Sequence, residues 1–312
     1  MPRLTVVVPA YNESAVLESF HARLTSVLAE LPLECDVLYV DDGSTDATWQ
    51  LMEGLAARDG RTGAIKLSRN FGKEAALTAG LDHVDADAAI VIDADLQDPP
   101  ELIPALIERW REGYDVVYAT RSARQGETGF KRFTSALFYR SMEHVSDIHV
   151  PRDTGDFRLL SRRALDALRQ LRERQRFMKG LFTWIGYRQT AVYYLREPRQ
   201  AGATKWNYWR LLQLAIEGFT SFSTAPLRLA TWIGVASSLL SFLFGLWVFG
   251  KALLFGDPVH GYPSLMVVIL FIGGVQLLAL GVIGEYLGRN YAESKQRPLY
   301  FIEEQRSARQ KR

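Results

Sequence analysis

Five short apolar runs rich in β-branched residues punctuate the first 121 residues, and each stops at a charged or glycine-bearing cluster. They are Leu4–Pro9, Asp36–Val40, Ala64–Leu67, Ala88–Ile92 and Tyr114–Thr120. Runs of this length and composition read as buried strands, and the helically patterned stretches between them read as helices. That alternation implies βαβ units and an α/β fold whose mostly parallel sheet is covered on both faces. Pro9 ends the first strand, and Asn12 or Ser14 is placed to cap a helix running to about Leu31. Gly43 allows a tight turn after the second strand, with Ser44 or Thr45 as the next cap. In such sheets ligands collect at the carboxyl ends of the strands. All five clusters fall there: Tyr11 to Glu13, Asp41 to Asp46, Arg69 to Lys73, Asp93 to Gln97, and Arg121. Their convergence on one edge points to a nucleotide site.

The fourth cluster carries the most specific chemistry. Asp93, Asp95 and Gln97 place hard oxygen donors at alternate positions just past a strand, and Pro99-Pro100 then suit the first turn of a helix. Such donors match Mg²⁺ or Mn²⁺ carrying phosphates. A D-x-D triplet alone is a common chance motif, and its weight comes from the clusters around it.

Composition narrows the alternatives. A net charge of +2 is too balanced to indicate nucleic-acid binding, and 48 % apolar residues suffice for a sizeable core. Cys35 is the single cysteine, so it forms no intrachain disulfide and reads as a buried hydrophobe. The five histidines show no H-E-x-x-H pattern, which argues against a histidine zinc site. Met1-Pro2-Arg3 runs straight into the first strand, so no secretory leader is expected.

Beyond Arg121 the pattern loosens. Ser122 to Thr128 reads as a polar loop, and Gly129 to Val145 as an amphipathic helix with Lys131 and Arg132 near its start. Asp153 to Arg158 precedes a short strand and a helix, and Phe177 to Trp184 suits a pocket floor or plain core. A basic loop holds Arg196, Arg199 and Lys205. Residues 1–205 therefore form the catalytic-type domain, and 206–226, opened by Trp206, Tyr208 and Trp209, an interfacial amphipathic helix. Residues 227–288 hold two apolar spans, about 229–250 and 265–284, each long enough to cross a hydrocarbon core of roughly 30 Å. The turn between them lacks lysine and arginine, whereas Arg228 precedes the first span and Arg289, Lys295 and Arg297 follow the second. That bias sets a multi-pass hairpin with the large domain and the 289–312 tail in the cytoplasm, in what the resemblance given below implies is a bacterial inner membrane. Pro298 to Ile302 reads as a strand seeking a partner, expected on a neighbouring subunit of a homo-oligomer.

Taken as a set, Pro9-Ala10-Tyr11-Asn12-Glu13, Asp41-Asp42-Gly43-Ser44, Asp93-Ala94-Asp95 and the C-terminal hairpin resemble inverting family 2 glycosyltransferases of the GT-A fold. Within these the chain is similar to the polyisoprenyl-phosphate glycosyltransferases, nearest the bacterial bactoprenol (undecaprenyl-phosphate) glucosyltransferases. Arg69 to Glu74, Asp95 to Pro99, Gly155 to Leu159, Phe177 to Gly180, Phe219 to Thr224 and Gly284 to Arg289 carry that closer match, which covers residues 4–302. The resemblance implies that Pro9, Tyr11, Glu13 and Asp42 hold the nucleotide's base and ribose, and that Asp93 and Ala94 line the sugar nucleotide. It implies Mg²⁺ or Mn²⁺ on Asp95 and Gln97, with Asp93 beside them. Arg121, Arg199 and Lys205 are then expected on donor and acceptor phosphates, with Arg132 and Arg158 also at the acceptor lipid's phosphate. Asp156 stands where the bacterial subgroup has its catalytic base, and dolichol-phosphate mannose synthases tend to have serine. Here it either accepts a proton or orients Arg158 or the acceptor phosphate. The catalytic set so implied is Asp156, Asp95 and Arg121. The implied reaction moves glucose from UDP-glucose to undecaprenyl phosphate, the sugar alternatives being mannose, N-acetylglucosamine or aminoarabinose. A processive polysaccharide synthase is disfavoured by the missing Q-x-x-R-W motif. A non-enzymatic lipid-binding scaffold leaves Asp93, Asp95 and Asp156 unexplained.

Overall fold

A computed structural model describes residues 1–121, 154–174, 176–194, 225–255 and 261–308. The chain divides into two compact units, one holding the first 143 residues, 148–211 and 297–312, the other 144–147 and 212–296.

The first unit is built on an eight-stranded sheet in the order β7-β5-β6-β4-β1-β2-β3-β8. Its strands are β1 (Arg3–Ala10), β2 (Glu34–Asp41), β3 (Thr62–Leu67), β4 (Ala88–Val91), β5 (Val116–Arg121), β6 (Thr154–Ser161), β7 (Gln189–Tyr194) and β8 (Ile302–Arg306). β1 pairs in parallel with β2 and β4, β2 with β3, and β5 with β7. β6 lies antiparallel between β4 and β5, so the sheet is mixed and only its β4-to-β3 half is wholly parallel. Strand β1 is buried along nearly its whole length, as expected for a parallel strand covered on both faces. On one face Phe20 and Leu24 of α1 (Leu17–Ala29), Met52 of α2 (Thr48–Arg58) and Leu106 of α4 (Ile103–Arg111) join the core. On the other lies α3 (Lys73–Asp82), where Gly80 lets the helix approach until a Cβ there would collide with Val7 Cγ1.

Three local expectations are corrected. Asn12 and Ser14 do not cap α1, whose N-cap is Val16; they bond instead across to the segment after β2. Ser44 and Thr45 do not cap α2, whose N-cap is Ala47. Asp156 and Arg158 lie within strand β6 rather than ahead of it, because the run of buried residues already begins at Thr154.

The segment Phe177 to Trp184 folds mainly as α6 (Met178–Trp184), following α5 (Arg162–Gln170), with Met178, Leu181 and Phe182 buried. The chain after the apolar region does form a strand, but at Ile302–Arg306, and it pairs antiparallel with β3 of the same chain. Edge strand β3 thus finds its partner without a neighbouring subunit.

The second unit is a pair of long helices, α7 (Ala225–Phe255) and α8 (Tyr262–Ser294). Trp232, Leu240, Phe242, Ile269, Phe271 and Leu280 are all exposed on them, an apolar surface unlike that of a water-soluble helix. Among the described residues one stretch, Phe271–Ser294, is long and apolar enough to cross a membrane by length and composition, and Ala230–Phe244 is a shorter apolar piece. Helix α8 outruns the expected 265–284 span because helical bonding continues past the apolar stretch, supported there by the Glu285–Arg289 pair at 3.0 Å. The expected interfacial helix at 206–226 lies almost entirely outside the described residues.

Candidate active site

The carboxyl ends of β1, β2 and β4 surround a cavity of about 300 Å³. Pro9, Tyr11, Glu13, Asp42, Asp93, Ala94 and Asp95 all line it, joined by Ala10, Asn70, Gly72, Lys73 and Ala76. Seven side chains chosen from three separate segments of sequence therefore share one wall. Gln97 is not in that wall; its backbone N–H donates to Asp95 Oδ1 at 3.1 Å across Leu96, which adopts a left-handed φ of 58°. Arg121 closes β5. Arg132, Arg199 and Lys205 lie outside the described residues.

Backbone and side-chain bonds lace the loops of this edge together. Asn12 Oδ1 accepts from Thr45 N at 2.8 Å, Asn12 N donates to Ser44 Oγ at 2.9 Å, and Ser14 Oγ donates to Asp46 Oδ2 at 2.6 Å. Asp42, 3 % exposed, accepts from Phe71 N at 2.7 Å and from Gly72 N at 2.9 Å, one bond on each carboxylate oxygen. Burial pushes its pKa up, and the two N–H groups oppose that rise. Gly43 takes φ 67°, and a Cβ there would run into the backbone of Arg69 and Asn70. The turn after β2 and the loop after β3 can meet only because that position has no side chain.

A second group of charges adjoins the cavity where β4 meets β6. Lys73, at the start of α3, donates to Asp93 Oδ2 at 2.7 Å and lies 2.5 Å from Asp156 Oδ2. Burial drives the Asp93 carboxyl up despite the ammonium beside it. For Asp156 burial acts the same way, but Lys73, Lys179 and Arg158 outweigh it and hold the carboxyl well below the usual range. Arg158 is 3 % exposed; its guanidinium stacks 3.9 Å from the Phe182 ring centroid and donates to Gly155 O at 2.8 Å. Burial lowers its pKa to about 10. Glu74 is pushed up to about 7, by burial and then by the charge of Asp156. Burial lowers Lys179.

Lys73, Glu74 and Lys179 had no assigned role on sequence grounds. Lys73 stood in a flagged strand-end cluster, but its partners come from β4 and β6. Nothing local in the chain announces that these strands are neighbours.

The sheet, the cavity at its parallel strand ends and the D-x-D pair lining it are those of a glycosyltransferase of GT-A fold, and the chain belongs to glycosyl transferase family 2, whose sequence model matches residues 5–169. Residues 225–289 match the GtrB C-terminal hairpin. An uncharacterized glycosyltransferase of Synechocystis sp. is 52 % identical over 299 residues, 96 % of this chain and 94 % of that protein. The bactoprenol glucosyl transferase of Shigella phage SfV is 46 % identical over 304 residues, 97 % of this chain and 99 % of that one. Among solved structures, glucosyl-3-phosphoglycerate synthase from Mycobacterium tuberculosis aligns with a TM-score of 0.45 at 19 % identity, covering 70 % of this chain and 76 % of that one.

Proposed function

We propose that the chain transfers glucose from UDP-glucose to undecaprenyl phosphate with inversion at the anomeric carbon. The observation that carries the reading is the shared cavity of Tyr11, Asp42, Asp93 and Asp95 in a chain that also holds the apolar hairpin. Near-full-length relatives named bactoprenol glucosyl transferases support both the sugar and the acceptor. Tyr11, half exposed at the cavity, offers a ring to the base, and Asp42 holds the loop that forms the facing wall. The apolar hairpin is the assigned membrane anchor, in keeping with an acceptor whose long chain stays in lipid.

The residues fit a divalent cation carried by the donor. Asp93 and Asp95 bring two carboxylates to one cavity wall, and among the described residues no three His, Cys, Asp or Glu gather as a self-sufficient site. One or two carboxylates, with phosphates and water completing the shell, is how Mg²⁺ is usually held. Asp95, with Asp93, is the assigned ligand pair; Gln97, expected beside them, lies off the cavity lining and buttresses Asp95 through its backbone N–H. When bound, the ion neutralises charge building on the departing diphosphate. Arg121, Arg199 and Lys205 are assigned to phosphate oxygens, and Arg132 to the lipid phosphate.

Asp156 orients rather than accepts a proton. A carboxylate held below its usual range by an ammonium is a weak base, and a phosphate acceptor is already ionised at neutral pH. Arg158, locked by Phe182 and backbone oxygens, serves as the support under that carboxylate's strand.

Detergent-purified full-length protein incubated with UDP- and GDP-sugars and undecaprenyl phosphate tests the reading. The expected product is a β-linked glucosyl lipid, formed from UDP-glucose and lost on chelation. Preference for another sugar overturns the donor assignment, and transfer untouched by EDTA overturns the metal. Asp95→Asn is expected to cut transfer by roughly 100-fold or more, as loss of a charge-stabilising group does. Wild-type transfer by that variant removes Asp95 from the site.

A further inference from the structure

The geometry points to Lys73 as a positioning residue: its single ammonium, clamped between Asp93 past β4 and Asp156 on β6, fixes the spacing between the donor cavity and the neighbouring strand during sugar transfer. The inference rests on the sugar-transfer reading above and goes beyond it by naming the group that sets the gap.

Three observations carry it. The ammonium touches both carboxylates, at 2.7 Å and 2.5 Å, so one side chain joins two strands that are sheet neighbours through the Val91–Arg158 pairing. Its backbone is held from a third strand: Asp42, after β2, grips the N–H groups of Phe71 and Gly72 immediately before it. Gly72 takes φ 97° there, turning the chain so that α3 begins at Lys73. Helix α3 in turn is seated on β1 and β2 through Gly80 against Val7 and Val40. The ammonium is therefore a fixed point tied to strands on both sides of the cavity.

The electrostatics require such a point. Without Lys73, Asp93 loses the side-chain cation that faces it and only Lys179 and Arg158 remain beside Asp156, the two carboxylates being 28 % and 15 % exposed. Like charges in a poorly solvated place repel strongly. The strand ends would relax apart, and reacting groups displaced by an ångström lose much of their rate. An arginine at the same place retains the charge but spreads it over a longer, planar group.

The test uses the full-length chain in detergent and compares Lys73→Met, Lys73→Arg, Asp156→Asn and the double variant Lys73→Met/Asp156→Asn. Lys73→Met is expected to lower kcat roughly 10- to 100-fold, the scale of misplaced reacting groups. UDP affinity by calorimetry and the donor KM stay within about threefold, since the loss falls on the transition state. Lys73→Arg recovers most of the lost kcat. Wild-type kcat in Lys73→Met overturns the inference. So does a parallel loss of UDP affinity, which marks a collapsed cavity.

Thermal unfolding supplies an arm independent of turnover. Lys73→Met is expected to shift the midpoint in the Asp156→Asn background by roughly half its shift in the wild-type background, as coupled partners do. Additive shifts overturn the bridge. Should Lys73→Met alone fail to fold, the double variant, which removes opposite charges together, is expected to fold but turn over slowly. A double variant that fails equally overturns the bridge. A wild-type chain that transfers no sugar from any donor refutes the functional reading and leaves the midpoint comparison to judge the bridge.

Discussion

Asp42, one residue past β2, and Asp156, within β6, are both carboxylates of the same sheet, yet they are held in opposite ways. Asp42 is satisfied by backbone N–H groups, and its carboxyl is raised by burial. Asp156 is satisfied by the Lys73 ammonium, and its carboxyl is lowered by nearby cations. The first arrangement lies in the wholly parallel half of the sheet, where each loop's backbone faces the next. The second lies at the antiparallel strand β6, where the Lys73 side chain adds a bridge beyond the backbone ladder. Backbone donors build a fixed wall that no substitution at the donor residues deletes, proline excepted. Side-chain donors build a junction that answers to mutation and to protonation.

Four changes probe that contrast, in falling order of effect. Asp42→Ala strands the part-buried N–H groups of Phe71 and Gly72 and should cost about 1–3 kcal/mol in urea unfolding, with UDP affinity lost as the 69–73 loop detaches. Retained UDP binding would show that the loop does not depend on the carboxylate. Gly43→Ala forces a side chain into a left-handed turn against the Arg69 backbone, for roughly 1–3 kcal/mol by the same measurement. A neutral Gly43→Ala would mean the two loops separate freely.

Glu74 tests the cation-linked side. Its folded pKa of about 7 exceeds the value of about 4.3 for a glutamate in an unfolded chain. Between those values the folded state binds more protons, so this group's contribution to stability falls as pH rises from about 4.3 to about 7. Asp156, Lys73, Lys179 and Arg158 all face it. Glu74→Gln should remove that slope and gain on the order of 1–2 kcal/mol relative to wild type at pH 8 over pH 5. Parallel stability curves for the two proteins would contradict the burial of Glu74. Glu303→Ala breaks a solvent-facing ion pair with Lys66, 3.1 Å long, and should change stability by less than about 0.5 kcal/mol. A larger loss would show that strand β8 depends on that pair.

The first half of the fold was readable because its signals are local. The five expected strands coincide with β1 to β5 to within about two residues at each end, since a buried parallel strand declares itself by an unbroken apolar run. The donor wall followed from the same signal, because a parallel strand delivers its next residues to a known edge. The caps at Asn12, Ser14, Ser44 and Thr45 were misplaced for a physical reason: polar side chains at a loop choose whichever N–H is near, and here the near ones belong to the adjoining loop. Strand β6 was set too late in the chain, and the C-terminal strand too early. Both are antiparallel, and antiparallel pairing is decided by a distant partner rather than by the strand's own residues.

Residue pattern alone determined the parallel half of the sheet, the carboxylates at its edge and the apolar helices that follow, because burial periodicity and strand-end chemistry are properties of contiguous residues. Only the folded chain decided that Lys73 stands between Asp93 and Asp156, and that Asp42 spends both oxygens on a loop some thirty positions further on. Those contacts depend on which strands become neighbours, a choice made by packing among segments far apart in the chain.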